Sequence, residues 1–176
     1  FELIASVDRF VITDDYEYEK SSWINRNNFP IPFTFRLKNH SDKAKINECY
    51  FYDIEEDKKQ FLKLTGLKAE RYLDKLHQET NLASNNFRVL KSICDDIGID
   101  TPFYMSSDFK HGKFVEGILD IVKALDGDTY VNLPGGKKLY KQEDFGDIKL
   151  EFIETKPGPS ILCANWLEIP EIKWPL

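Results

Sequence analysis

The densest chemistry in this chain lies between residues 13 and 28, in the run Thr-Asp-Asp-Tyr-Glu-Tyr-Glu-Lys-Ser-Ser-Trp-Ile-Asn-Arg-Asn-Asn. It combines the adjacent carboxylates of Asp14 and Asp15, the Lys20 amine, the Trp23 indole and the triplet Asn25-Arg26-Asn27. Paired carboxylates can orient a base, hold a sugar hydroxyl or bind a metal, and arginine grips a carboxylate or phosphate through two parallel hydrogen bonds. The same residues also suit a solvated hairpin in which Asp and Asn only shape turns. Ser106-Ser107, ahead of a helix, can offer hydroxyl and N–H groups to an anion or simply cap that helix. Pro134-Gly135-Gly136-Lys137-Lys138 allows close approach of a ligand or makes a tight turn, and neither GxxxxGK[ST] nor GxGxxG occurs in the chain.

Other reactive types are uninformative. His40, His77 and His111 show no metal-ligand spacing, and only His111 lies near Ser106-Ser107. Cys49, Cys94 and Cys163 form no CxxC pair and have no nearby histidine, so neither a disulfide framework nor a zinc site is expected and no metal is assigned. The residues do not identify a cofactor.

The elements that must position these groups follow from periodicity. Arg9–Thr13 is short and β-branched, a buried strand that ends at Asp14. Ile31, Phe33, Phe35 and Leu37 alternate with Pro32, Thr34 and Arg36, which predicts a half-buried strand paired with another over 46–52. Helical spacing over 55–77, interrupted near Thr65-Gly66, gives one kinked helix or two short ones. Further helices are expected over 84–97, ended by Gly98, and over 113–125, ended by Asp126-Gly127-Asp128. Strands are predicted over 101–105, 130–133 and 148–153, and Phe1–Ser6 reads as the tail of a helix. Strands separated by helices favour a single α/β domain over 1–176, a mixed and partly parallel sheet with helices packed on it. Sites in such sheets form beyond the carboxyl ends of strands, where Asp14-Asp15, Ser106-Ser107 and Gly135-Gly136 all fall.

The totals bound the partners. A net charge of -6, from 24 basic and 30 acidic residues, disfavours a nucleic-acid ligand. No apolar run approaches the ~20 residues of a membrane span, and cytoplasmic localisation is the expectation. Met105 is the sole methionine, so a segment upstream of Phe1 is expected. Trp166, Trp174 and the proline-rich stretch 169–176 pack back on the domain or onto a second subunit, which leaves homo-oligomerisation open.

Asp8-Arg-Phe-Val-Ile-Thr-Asp-Asp15, followed by Lys20-x-x-Trp23-x-Asn25-Arg26-Asn27, resembles the signature of WbqC-like proteins. Ser106-Ser107, Asp128-Thr-Tyr130 leading into Pro134-Gly135-Gly136, where the family resembles YLSGPGG, and Ile148-x-Leu-x-Phe152 fit the same pattern. The matches span most of residues 8–155, and Trp-x-Asn-Arg-Asn is the most specific block. The resemblance implies a cytoplasmic protein of surface-polysaccharide (O-antigen-type) synthesis, with acyl or aminoacyl transfer to a nucleotide-linked amino sugar as the expected reaction.

On that reading Asp14, Asp15 and Lys20 are catalytic candidates. Trp23, Asn25, Arg26, Asn27, Ser106, Ser107, Gly135 and Gly136 bind the small-molecule substrate. A non-catalytic sugar-nucleotide or carrier-protein binding subunit and a nucleotidylyltransferase-like enzyme are the alternatives. Several positions depart from the family pattern. Its opening His-Gln-Pro-x-Tyr-Leu-Pro-Trp segment has no counterpart in this sequence, Tyr16-Glu17 stands in place of Val-Gln, Leu133 replaces a glycine and Leu139 a tyrosine.

Overall fold

The computed structural model describes residues 1–20, 22–27, 32–65 and 69–154. Asn28, Ile31, Gly66 and the stretch with Cys163, Trp166 and Trp174 lie outside them. The elements in chain order are α1 (Glu2–Ala5), β1 (Phe10–Ile12), β2 (Arg26–Asn27), β3 (Phe33–Thr34), α2 (Ile54–Thr65), α3 (Glu70–Leu73), α4 (Leu82–Asp96), β4 (Phe103–Met105), α5 (Phe114–Ala124), β5 (Thr129–Asn132) and β6 (Lys149–Phe152). The fold is mixed α/β, with parallel and antiparallel pairing both present. The described residues gather into two compact units, 1–13 with 100–154, and 14–99.

In the first unit β1 runs parallel to β4, with Phe10 opposite Phe103 and Ile12 opposite Met105, and β5 runs parallel to β6. The β1 residues are half-buried, against the buried strand expected of them. The ring of Tyr130 stacks on Phe145 at 5.4 Å. A loop after β4 packs on α5 because residue 117 is glycine. A Cβ there would meet the Gly112 carbonyl oxygen at 2.4 Å, and the Gly112 N–H donates to the Asp120 carboxylate at 2.9 Å.

The second unit holds an aromatic core. Phe61 of α2 meets Phe33 at 5.3 Å and Phe35 at 5.5 Å, and Phe35 meets Phe51 at 6.0 Å. Phe51 and Phe61 are fully or almost fully buried, and burial of that kind contributes roughly 2–3 kcal/mol per ring. The predicted pairing of the 31–37 and 46–52 segments is present where Lys38 N donates to Tyr50 O and Tyr52 N to Arg36 O, both at 2.8 Å. The first part of the second segment differs, because Ile46–Glu48 is a 3₁₀ turn. There the Glu48 carboxylate takes the Lys45 N–H at 2.9 Å, and Ile46 and Cys49, three apart, both turn inward.

The helical region after residue 53 is two helices, α2 and α3. Helix α4 starts two residues before its expected first turn because Asn81 is the cap, its side-chain oxygen accepting the Ser84 N–H at 2.8 Å. Gly98, with φ +71°, ends it as predicted.

Candidate functional site

The second unit carries the 14–27 segment, and its geometry separates anchors from exposed groups. Asp14 is buried. Its carboxylate accepts the Asn47 amide at 3.0 Å and its carbonyl the Asn47 N–H at 2.8 Å. Ile46 N donates to Tyr16 O at 3.0 Å and Tyr18 N to Ala44 O at 2.8 Å, so residues 14–18 are laced along 44–47. Asp15 stays half-buried with its carboxylate 4.0 Å from the Lys45 ammonium. Lys20 is paired with Asp42 at 2.7 Å on an exposed surface. That hydrogen bond raises the Lys20 pKa above its ordinary value and lowers that of Asp42.

The Trp-Ile-Asn-Arg-Asn block folds inside out relative to residue type. Its amide Asn25 is buried. Its Oδ1 accepts the Tyr18 hydroxyl at 2.9 Å, its Nδ2 donates to Phe35 O at 2.8 Å, and its backbone carbonyl accepts Phe35 N at 3.0 Å. From α4, Asn86 donates its amide to Ile24 O at 2.8 Å. These bonds brace the turn, and the braced turn holds Trp23 outward, 67% exposed, beside the exposed Arg26. Trp23 shares this exposure with Phe114 and Leu139 of the first unit, but it alone of the three stands beside an exposed arginine in the 13–28 run. Asn27 is half-buried at the end of β2.

The first unit holds the other predicted groups. Ser106 is fully buried in a 3₁₀ turn, its carbonyl accepting Phe109 N at 3.1 Å, and Ser107 is the exposed member of the pair. His111 is half-buried in the loop that precedes α5. Gly135 is open, whereas a Cβ on Gly136 would come within 2.8 Å of the Asn132 amide nitrogen and 3.1 Å of the Phe152 ring. Gly136 is thus required by packing and Gly135 is not. No group of three or more His, Cys, Asp or Glu suited to a metal occurs among the described residues. No helix among them is long and apolar enough to cross a membrane.

Sequence reasoning missed the residues that hold the turn, Tyr18 and Asn86, and a set of exposed neighbours, Arg36, Lys38, Tyr50 and Tyr52. For the cations a signal was available: the alternation that turns Phe33, Phe35 and Leu37 inward turns Thr34, Arg36 and Lys38 outward.

The model of the WbqC-like protein family matches residues 1–160, a range that takes in both compact units and every candidate residue above. The chain belongs to the WbqC-like family. A relative from Mycobacterium tuberculosis (strain ATCC 25618 / H37Rv), "Uncharacterized protein Rv1507c", is 27% identical over 171 residues, covering 85% of this chain and 73% of that protein. No solved structure matches this WbqC-like chain.

Proposed function

We propose that this WbqC-like protein is a group-transfer enzyme of bacterial surface-polysaccharide (O-antigen-type) synthesis, moving an acyl or aminoacyl group to the amine of a nucleotide-linked amino sugar. The observation that carries the reading is the braced turn at residues 23–26, which holds an indole and a guanidinium at the surface. An indole face packs on the C–H face of a pyranose or on a nucleobase, and a guanidinium takes a carboxylate or phosphate. Asp15, half-buried after β1, accepts the proton that the acceptor amine loses as it attacks the acyl carbon and the donor's leaving group departs. Family membership supports the choice of pathway by analogy only.

A second reading, a non-catalytic sugar-nucleotide or carrier-protein binding subunit, draws on a specific observation. Of the three catalytic candidates, Asp14 is bonded to Asn47, Lys20 is paired with Asp42 and Asp15 lies 4.0 Å from the Lys45 ammonium, so each is engaged by another side chain. Mass spectrometry of UDP-linked amino sugars incubated with acyl thioesters and the protein separates the two. An acylated sugar that is absent with Asp15→Asn, in a variant that still binds the sugar, supports the transferase. Tight sugar binding without any product across the donors supports the binding subunit.

A further inference from the structure

Residues 33–38 run as an extended segment whose outward side chains are Thr34, Arg36 and Lys38, all exposed. Its neighbours extend the same face. Arg26 lies opposite Thr34 in the β2–β3 pair, and Tyr52 and Tyr50 flank Arg36 and Lys38 across the 37–51 bridge. The Arg36 guanidinium sits over the Tyr52 ring at 5.5 Å and the Lys38 ammonium over Tyr50 at 6.0 Å. In a chain of net charge -6, one sheet face therefore gathers three cations, two of them seated on tyrosines.

The spacing suits a compact polyanion. Arg36 and Lys38 are two residues apart, roughly 7 Å along the strand. Arg26 is the diagonal neighbour of Arg36, about 7–8 Å away. Arg36 is oriented from below. Its N–H and Nε donate to the buried Asp57 carboxylate at 2.7 and 2.6 Å, which fixes the guanidinium and leaves its terminal amino groups to donate outward. Asp57 and Glu56 of α2 and Asp53 just before it act on that same guanidinium and offset its charge. The excess positive charge rests on Arg26 and Lys38, on either side of the Arg36 donors.

We propose that this face binds the diphosphate of a nucleotide-linked sugar, as a continuation of the Trp23–Arg26 turn. The occupant follows from charge complementarity and from the covalent link between diphosphate and sugar. Trp23 takes a ring of the ligand while Arg26, Arg36 and Lys38 take its phosphates, with Tyr50 and Tyr52 holding two of the cations in place. The identity of the ligand rests on the function proposed above, but the anion face does not.

Calorimetric titration of the whole chain with inorganic pyrophosphate and with UDP-N-acetylglucosamine tests it, using Lys38→Gln, Arg26→Gln and Trp23→Ala. Arg36 is left intact because its removal would strand the Asp57 carboxylate. Both probes are expected to bind, and Lys38→Gln and Arg26→Gln each to weaken both by about five-fold or more, with melting temperature unchanged. Trp23→Ala is expected to weaken UDP-N-acetylglucosamine alone. Raising salt from roughly 50 to 300 mM should weaken pyrophosphate further. Pyrophosphate that fails to bind, or binds equally to the Lys38 and Arg26 variants, overturns the face. If UDP-N-acetylglucosamine still binds through Trp23 in that case, the functional reading stands without it. Lys38-dependent pyrophosphate binding with no binding of the sugar nucleotide overturns the assigned occupant, while the transfer reading is decided by the acylated product.

Discussion

The Tyr18 hydroxyl donates to Asn25 Oδ1 at 2.9 Å, and the same amide donates onward to the Phe35 carbonyl at 2.8 Å. One buried side chain thus joins the 14–18 segment to the strand that carries the aromatic core. Removing it strands two partners in the interior. Asn25→Ala is expected to lower unfolding stability by about 2–3 kcal/mol, and Tyr18→Phe by about 1 kcal/mol. Urea denaturation measures both. A loss under half a kilocalorie for Asn25→Ala would show that the amide does not brace the turn.

The two glycines after β5 should part company. Gly136→Ala forces its methyl against the Asn132 amide and the Phe152 ring, and a loss of about 1–3 kcal/mol is expected. Gly135→Ala meets nothing within 4 Å and is expected to leave the melting temperature unchanged. It therefore makes a clean probe of function. Weaker binding of a nucleotide-linked sugar by Gly135→Ala would place a ligand against this turn, and unchanged binding would remove Gly135 from the site.

How far such detail is legible in the sequence depends on where the deciding contacts lie. Helices α4 and α5 were readable because their apolar residues recur within one turn, and Gly98 marks a true stop. The start of α4 was misplaced because Ser84 is the donor in its cap and Asn81 the acceptor. The 46–52 segment looks like a strand by composition, and only the Glu48 carboxylate reaching back to Lys45 N turns its start into a 3₁₀ helix.

The same limit applied to the site. Trp23, Asn25 and Arg26 stood out as a block, but composition would bury the indole and expose the amide. The reverse holds because the partners of Asn25 come from Tyr18 and Phe35, seven and ten residues away, and the support for Ile24 comes from Asn86 on α4. Likewise Asp14 and Lys20 are polar enough to do chemistry, and their contacts with Asn47 and Asp42 come from residues 33 and 22 positions along the chain.

Alkaline pH should destabilise the fold. Burial pushes the thiols of Cys49 and Cys94 above their ordinary pKa of 9.0, and burial together with the nearby Cys49 pushes the Tyr18 phenol above 10.0. The folded chain therefore holds these protons to higher pH than the unfolded chain does. Their contribution is intact below about pH 9 and is lost as pH climbs through the raised values. Urea midpoints should be level between about pH 7 and 8 and fall by about pH 10.5. Cys49→Ala should shallow that fall, and a midpoint that holds steady to pH 10.5 would contradict the account.

Burial also predicts slow thiol chemistry. Neither Cys49 nor Cys94 should react with a disulfide reagent at neutral pH on the timescale of an exposed cysteine, and both should become reactive in urea. Rapid labelling of either in the native protein would mean that the second unit opens far more readily than its packing implies.

The central claim is that the braced turn exists to present Trp23 to a ligand. Its most direct test is the Trp23 indole N–H resonance, assigned by its disappearance in Trp23→Phe and followed during titration with a UDP-linked amino sugar. The account predicts a saturable shift of that resonance, weakened several-fold in Arg26→Gln and by loosening the turn in Asn86→Ala. An indole resonance that stays fixed while the sugar nucleotide binds elsewhere, or that shifts equally in the Arg26 and Asn86 variants, would contradict it.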